Sequence, residues 1–263
     1  MTELRIRVTQ PRAGELDVPA AMAGIKQAVL AAGDVDLLVI PELATTRYDI
    51  RRHISEVAPQ VDDPAMQELR QAASAVGTVV VLGFAERSKS SVDGPALFNS
   101  ALVIDADGSI AGVVRKAHLF AGETRVFVAG DQLAPVHTSI GALGVAICYD
   151  IEFPETARSL ALAGAELFVV LSANMDPYTD YHLTYAKARA MENNLPLVVA
   201  NWVGEGPRFT FLGRSCIVSA SGQILADAGI EPGEAQAAVT VGRSQVDTDL
   251  DYLAQRRPEL YRP

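Results

Sequence analysis

Short apolar segments alternate with helical patterns along most of the chain, which is typical of a mixed α/β protein. Three helical patterns end at a glycine and lead within a few residues into an apolar, strand-like segment. They are Gly33 before residues 37–40, Gly77 before residues 79–82, and Gly164 before residues 167–171. Because glycine adopts the left-handed conformation at little cost, each of these predicts a helix-to-strand turn.

Other apolar segments follow one another with no helix between them. The two cases are residues 101–105 and 110–114 across Asp107-Gly108, and residues 216–219 and 224–226 across Ser221-Gly222. Both are typical of β-hairpins. Helix–strand units together with hairpins predict an α+β (α/β-like) fold, whose mixed sheets carry helices on one face each. Because the sequence contains no Pro/Gly/Ser linker and no internal repeat, residues 1–263 are expected to form a single domain.

Composition and charge argue against several classes of partner. The formal net charge is −10 and the basic residues are scattered, so nucleic acid and anionic membranes are not expected as partners. No apolar segment approaches the ~20 residues that a membrane-spanning helix needs, and residues 1–8 resemble a strand rather than a secretory signal. The two cysteines, Cys148 and Cys216, cannot form a disulfide framework. A reactive thiol needs a reducing compartment, so the cytoplasm is the expected location.

Cys148 is the most informative residue of the chain. It follows an apolar segment, residues 143–147, and precedes Tyr149, Asp150 and Pro154. This pattern predicts a buried strand, a tight turn and then a helix. A thiol at the carboxyl end of a strand and beside the positive end of a helix is expected to favour the thiolate form. A structural role in the core is the alternative for a lone buried cysteine.

Two further strand-like segments end in charged residues. Residues 37–41 stop at Glu42, and residues 110–115 stop at Lys116. Residues just past the carboxyl ends of strands gather along one rim of an α/β sheet, where ligand sites form. A carboxylate, an ammonium group and a thiol on one rim provide a proton acceptor, an oxyanion partner and a nucleophile. The sequence therefore predicts nucleophilic catalysis at this rim.

Three segments of the chain resemble the signature motifs of the nitrilase superfamily of carbon–nitrogen hydrolases. They are Pro41-Glu42-Leu43 with Tyr48, Arg115-Lys116-x-His118-Leu119-Phe120, and Cys148-Tyr149-Asp150-x-x-Phe153-Pro154-Glu155. The chain is most similar to the short bacterial and archaeal amidases of this superfamily. The resemblance implies a four-layer α-β-β-α sandwich with two mixed sheets in a single domain.

The resemblance also implies roles for individual residues. Glu42 is expected to act as general base, Cys148 as nucleophile, and Lys116 with the backbone N–H of Tyr149 as oxyanion donors. Glu123 is expected to help hold the lysine and the substrate amide. This cycle requires no metal and no organic cofactor.

Two more residues follow strand-like segments and are expected near the same rim. Asn174 is a candidate for substrate binding, with capping of the segment before Pro177 as the alternative. Trp202, the only tryptophan, is a candidate wall of an acyl pocket, with a place in the core or at an interface as alternatives. His118 is expected to support the lysine structurally, and Cys216 to be buried in an apolar strand.

Departures from the family motifs favour one substrate class. Nitrile-hydrolysing relatives usually carry Trp-Glu after the cysteine, where this chain has Tyr149-Asp150. Relatives that act on free carboxylates often place an arginine next, where this chain has Ile151-Glu152. We therefore expect an amidase for a small neutral or cationic carboxamide. A nitrilase, an N-carbamoyl amide hydrolase and a non-catalytic interaction protein of the superfamily are the alternatives.

Assembly into a homodimer or a higher even oligomer is expected from the resemblance. Relatives stack helices of two subunits, and the matching helices here span residues 154–163 and 181–193. Their alanines (157, 161, 163, 186, 188 and 190) would permit close approach. The C-terminal tail, about residues 243–263, is expected to pack on the partner subunit.

Overall fold

The computed structural model describes residues 2–48, 54–88, 96–242 and 250–261. The helices are α1 (Val18–Leu30), α2 (Ile54–Val57), α3 (Pro64–Val76), α4 (Pro154–Leu162) and α5 (Tyr181–Asn193). The strands are β1 (Thr2–Gln10), β2 (Leu37–Ile40), β3 (Val79–Arg87), β4 (Leu97–Ile104), β5 (Ile110–Arg115), β6 (Val136–Thr138), β7 (Gly141–Ile147), β8 (Leu167–Leu171), β9 (Leu197–Ala200), β10 (Val203–Glu205), β11 (Thr210–Leu212), β12 (Cys216–Val218), β13 (Ile224–Asp227) and β14 (Gly233–Val241).

Twelve of these strands form two six-stranded mixed sheets. The first sheet has the order β14-β1-β2-β3-β4-β5, and the second has the order β13-β12-β9-β8-β7-β6. The centre of each sheet is parallel: β1, β2 and β3 run together in the first, and β7, β8 and β9 in the second. The β3–β4 and β4–β5 pairs are antiparallel, so β5 has the direction of β3 and ends at the same rim.

Three apolar clusters define the layers. The middle cluster joins the facing sides of the two sheets, for example Ile6, Val39 and Val81 with Val145 and Val169. The other two clusters pack the outer face of the first sheet against α1 and α3, and the outer face of the second against α4 and α5. The expected four-layer α-β-β-α sandwich is thereby confirmed. Central strands such as β2 are buried along their whole length because both of their faces are covered.

The predicted turns are confirmed with one exception. Gly77 (φ +71°) and Gly164 (φ +97°) follow α3 and α4 in the left-handed conformation. Gly108 and Gly222 are also left-handed, in the turns of the two predicted hairpins. The exception is the conformation at Gly33: the chain turns there from α1 into β2 as predicted, but Gly33 is not left-handed. The helix ends at Leu30 with Ala31 as a right-handed cap, and successive hydrogen bonds such as Ala31 N–H to Gln27 O turn the chain without a left-handed residue.

Four of the six alanines expected between subunits lie on the inner side of the outer helices of the second sheet. Ala157, Ala161, Ala186 and Ala190 are buried in the outer cluster of their own sheet, so their small size is explained without a partner. Ala163 is exposed and Ala188 is half-buried. Of the expected tail, residues 243–249 and 262–263 lie outside the described residues. In the part that is described, Leu253 packs on that same cluster.

None of the described helices is long and apolar enough to cross a bilayer.

Candidate active site

The structure brings the three predicted chemical groups together. Glu42 lies two residues after β2, Lys116 directly after β5, and Cys148 directly after β7. All three side chains are buried, with exposures of 0%, 1% and 7%. Glu42 and Lys116 lie close enough to Cys148 for their charges to act on its thiol. The rim of the sandwich therefore holds a buried carboxylate, ammonium group and thiol.

Lys116 lies between two carboxylates. Its Nζ is 2.6 Å from Glu42 Oε1, 3.0 Å from Glu123 Oε1 and 2.9 Å from Glu123 Oε2. Burial acts to lower the pKa of Lys116, but the charges of Glu42 and Glu123 outweigh it and raise that pKa above its usual value. The lysine is therefore cationic across the physiological range. Glu123, predicted to hold this lysine, does contact it.

Glu42 has one oxygen engaged and one free. Oε1 accepts hydrogen bonds from Lys116 Nζ at 2.6 Å and from Asn99 Nδ2 at 2.7 Å. Oε2 is buried and makes no hydrogen bond with any residue that the structure describes. Burial raises the pKa of Glu42 to about 7, against the opposing charge of Lys116 and with a further contribution from the Glu123 charge. A carboxyl group with this pKa can both take up and release a proton near neutral pH.

Cys148 departs from one expectation. Burial and the neighbouring Glu42 charge raise the pKa of the thiol well above its usual value, while the charge of Lys116 opposes them. The prediction that the location favours a thiolate is therefore wrong for the resting protein. The reason is geometric: Cys148 begins a single 3₁₀ turn, α4 starts only at Pro154, and the sulfur is removed from water beside a carboxylate.

The backbone at Cys148 is left-handed, with φ +49°. A non-glycine residue in this region is strained, and such strain is often found at functional sites. Asp150 secures the turn, because its carboxylate accepts hydrogen bonds from the backbone N–H groups of Ile147 at 3.1 Å and His118 at 2.8 Å.

His118 has the structural role that the sequence predicted. Its Nδ1 lies 2.8 Å from Asp150 Oδ1, and its ring stacks on Phe153 with 3.8 Å between centroids. The hydrogen bond with Asp150 raises the pKa of His118 above its usual value. The histidine thus ties the Lys116 segment to the Cys148 turn.

Sequence reasoning missed Asn99 and gave no role to the Tyr48 hydroxyl. Asn99 Nδ2 donates to Glu42 Oε1 at 2.7 Å and to Glu123 Oε1 at 3.2 Å, and Tyr48 donates from its hydroxyl to Glu123 Oε1 at 3.2 Å. The available signal was the polar pair Asn99-Ser100 inside the apolar strand β4. Both of these residues are fully buried, and buried polar groups in a strand need partners.

The remaining predicted site residues lie around this centre. Tyr149 is half-buried, and its ring contacts Phe120 and Phe153. Asn174 Nδ2 donates to the Tyr178 carbonyl at 3.2 Å, which agrees with the capping alternative. Trp202 is buried in the outer cluster of the first sheet, and its Nε1 donates to the backbone carbonyl of Glu42 at 2.8 Å.

Within the described residues no group of three or more His, Cys, Asp or Glu side chains could hold a metal ion. Cys216 is buried in β12, as predicted, and burial raises the pKa of its thiol to about 12.

Fold and site together define a class of enzyme, a hydrolase with a buried glutamate, lysine and cysteine at the rim of a four-layer sandwich. A family model described as carbon-nitrogen hydrolase matches residues 5–248. The chain belongs to this family.

Individual relatives agree with this assignment. The chain is 38% identical over 264 residues to "Hydrolase in pqqF 5'region" of Pseudomonas protegens, covering 98% of this chain and 90% of that protein. It is 39% identical over 230 residues to an (R)-stereoselective amidase of a Pseudomonas species, covering 86% and 81%. A variant of the Nesterenkonia sp. AN1 amidase matches with a TM-score of 0.84 at 30% identity, covering 98% and 95% of the chains. Its structure shows covalent addition of the acetamide moiety of fluoroacetamide at the active-site cysteine.

Proposed function

We propose that this chain is an amidase, which hydrolyses a small neutral or cationic carboxamide to the carboxylic acid and ammonia through a cysteine thioester. The observation that carries the proposal is the buried Oε2 of Glu42, which accepts no hydrogen bond from the described residues and belongs to a side chain whose charge acts on the Cys148 thiol. With Oε1 held by Lys116 and Asn99, Oε2 is the oxygen left to accept the thiol proton. The covalent adduct on the cysteine of the Nesterenkonia amidase supports the same nucleophile here.

In the proposed cycle Glu42 takes the Cys148 proton while Sγ attacks the carbonyl carbon of the substrate. Lys116 and the backbone N–H of Tyr149 stabilise the oxyanion, and Glu123 holds Lys116 and the substrate amide. The intermediate collapses when Glu42 gives its proton to the departing ammonia, which leaves a thioester. Glu42 then takes a proton from the water that attacks the thioester, and returns it to the sulfur as the acid leaves.

The substrate class is proposed from the residues around the sulfur. The turn that Cys148 begins ends with Ile151 and Glu152, so this segment offers no guanidinium for a substrate carboxylate. Asn174 and Trp202 are proposed to shape the pocket. Trp202 would do so indirectly, because its side chain is buried in the outer cluster of the first sheet and its hydrogen bond to the Glu42 carbonyl holds the segment of the base in place.

Ammonia release from a panel of aliphatic, aromatic and amino-acid amides, with the matching nitriles, tests the proposal. Primary amides should exceed the corresponding nitriles by about tenfold or more in kcat/KM. Cys148→Ala and Cys148→Ser should abolish turnover, while circular dichroism shows the fold intact. Nitriles that match or exceed amides would make the protein a nitrilase instead, and undiminished turnover by Cys148→Ala would rule out the thioester.

We also propose a homodimer or a higher even oligomer in a reducing compartment such as the cytoplasm. Large apolar side chains are exposed on the outer helices and the tail, among them Leu162 (53%), Met191 (43%) and Leu260 (63%). Covering these side chains would stabilise association. The compartment is proposed because Cys148 must stay reduced to act as a nucleophile.

A further inference from the structure

Two buried polar side chains behind Cys148 take no part in the proposed cycle. Ser172 follows β8 and is fully buried, and His182 lies in the first turn of α5 with 6% exposure. Ser172 Oγ lies 2.7 Å from His182 Nδ1 and 3.9 Å from Cys148 Sγ, within hydrogen-bonding reach of a sulfur. The proposed nucleophile therefore contacts a hydroxyl group, which in turn contacts an imidazole.

The hydrogen-bonding capacity of Ser172 limits what this pair can do. A serine hydroxyl has one proton and two lone pairs, and the backbone N–H of Asn174, which also donates to Asn201 Oδ1 at 2.8 Å, donates to Oγ at 3.1 Å. If Ser172 donates to His182, the sulfur receives no hydrogen bond from it. If His182 carries its proton on Nδ1 and donates to Ser172, both lone pairs are filled. The hydroxyl proton is then left with Cys148 Sγ as its acceptor.

We propose that His182, as the Nδ1–H tautomer, fixes the Ser172 hydroxyl as a hydrogen-bond donor to Cys148 Sγ and so stabilises the thiolate. The inference rests on the proposed function, in which Glu42 removes the thiol proton. Ser172 and His182 keep their own protons throughout, and no covalent bond to either is made. Ser172 touches the reacting sulfur, whereas His182 is a positioning residue that acts through Ser172.

The charged groups around the pair agree with this arrangement. Burial, together with the positive charge of Lys116, lowers the pKa of His182 to about 3, so the imidazole is neutral at physiological pH. At Cys148 the charges of Glu42 and Glu123 disfavour the thiolate, while Lys116 and the backbone N–H of Ala173 favour it. The Ser172 hydroxyl, which follows β8, adds one more hydrogen-bond donor to the groups that favour the thiolate. Hydrogen bonds to a charged acceptor are stronger than those to a neutral one, so this donor contributes most once the thiolate has formed.

The test is the pH profile of Cys148 alkylation by iodoacetamide, followed by mass spectrometry in a Cys216→Ala background. Ser172→Ala should raise the apparent pKa of the reaction by about one unit or more, a roughly tenfold lower rate below that pKa. His182→Phe should give a similar rise. His182→Asn should restore much of the loss, because its amide N–H can replace Nδ1–H as the donor to Ser172. The double variant Ser172→Ala/His182→Phe should match Ser172→Ala alone.

Thr78→Val is the matched control, because it removes another fully buried hydroxyl, one that donates to Ala32 O at 2.8 Å. Its alkylation profile should equal that of the parent protein. A folded Ser172→Ala protein with an unshifted profile would overturn the proposal, and additive shifts in the double variant would overturn the link through Ser172. If Ser172→Ala does not fold, equal profiles for His182→Phe and His182→Asn would be decisive against it. Absence of labelling in the parent at every pH would instead refute Cys148 as nucleophile, and with it the proposed function.

Discussion

At the scale of single residues, the protonation states of the site depend on the buried positive charge of Lys116, which two carboxylates share. Lys116 contacts both Glu42 and Glu123, so neither carboxylate is left without a partner in the interior. Breaking a buried ion pair by removing one partner leaves a charge that is costly to keep there. Asn99 joins the two acids through its amide group. In this arrangement the pKa of Glu42 is raised to about 7, while Lys116 stays charged.

Substitution of Glu42 and Lys116 should therefore have unequal effects. Glu42→Gln removes the proton acceptor, whereas Lys116→Arg keeps a cation but changes its geometry. Both should lower kcat/KM by on the order of 100-fold or more, with Glu42→Gln the more severe. Steady-state ammonia release checks the order, and Glu68→Gln, at an exposed carboxylate paired with Lys26, serves as control. Near-normal turnover by Glu42→Gln would show that another group is the base.

The pH dependence of kcat/KM should report Glu42. Its pKa is raised to about 7, and the base must be deprotonated to accept the thiol proton. The rate should therefore fall as pH decreases through about 7, with an acidic limb tenfold per pH unit. A profile measured between pH 5 and 9, roughly spanning that pKa, checks this. An acidic limb that began near pH 4.5, the usual carboxyl value, would contradict the raised pKa.

At the scale of elements, a tight turn after β2 sets the position of the base. Leu43, Arg47 and Tyr48 all adopt left-handed conformations in it. The turn lies directly against β3, because a Cβ on Gly83 would come within 2.6 Å of Glu42 Cα. With the Trp202 hydrogen bond to the Glu42 carbonyl, these contacts fix the backbone from two sides.

Gly83→Ala should consequently displace the base. The added methyl group would meet backbone atoms of Pro41 and Glu42, which cannot move aside like a flexible side chain. We expect a loss of about 1–3 kcal/mol in the free energy of unfolding, together with a marked fall in kcat. Urea unfolding and ammonia release measure the two effects.

Gly24→Ala in α1 is the matched control for this substitution. Nothing lies within 4 Å of the new Cβ, so its stability should rise slightly through helix propensity. Equal stability and activity of the two alanine variants would mean that the close approach at Gly83 does not constrain Glu42.

At the scale of the whole molecule, α4 and α5 form an outer layer whose exposed side remains partly apolar. The tail crosses this region in its described part, where Asn194 Nδ2 donates to the Leu250 carbonyl at 3.2 Å. Tyr252 and Tyr261 of the tail are largely exposed. Contact with a second subunit would cover these side chains and join two sandwiches through their helical layers.

Truncation after Ala254 should weaken association. It removes the exposed Leu260 and Tyr261 while leaving Leu253 in its own apolar cluster. Light scattering at micromolar concentration should show a dimer for the full chain and a larger monomer fraction for the truncated one. Leu30→Ser, which changes an exposed residue on the opposite helical layer, should leave the dimer unchanged. A fully active monomer of the full chain would contradict the proposed assembly.

The sequence by itself determined the central strands, two hairpins, most turns and the residues at the strand ends, but it gave no prediction for β6, β10, β11 or β14. Periodicity and glycine placement are local properties, so they located β2, β5 and β7 together with Glu42, Lys116 and Cys148. The four-layer arrangement came from resemblance, because the same helices and strands can pack in several ways. Gly33 marked the turn from α1 into β2 but not its conformation, because hydrogen bonds of neighbouring residues satisfied the helix end without a left-handed glycine.

Only the tertiary structure decided the electrostatics of the site. Asn99 reaches Glu42 across 57 sequence positions, and the raised pKa values of Glu42 and Cys148 arise first from their burial at the rim of the sandwich. Four alanines of α4 and α5 that were ambiguous in sequence, Ala157, Ala161, Ala186 and Ala190, belong to the core because of the face on which they lie. Desolvation and long-range hydrogen bonding depend on which distant segments meet, and no local pattern in the chain encodes that.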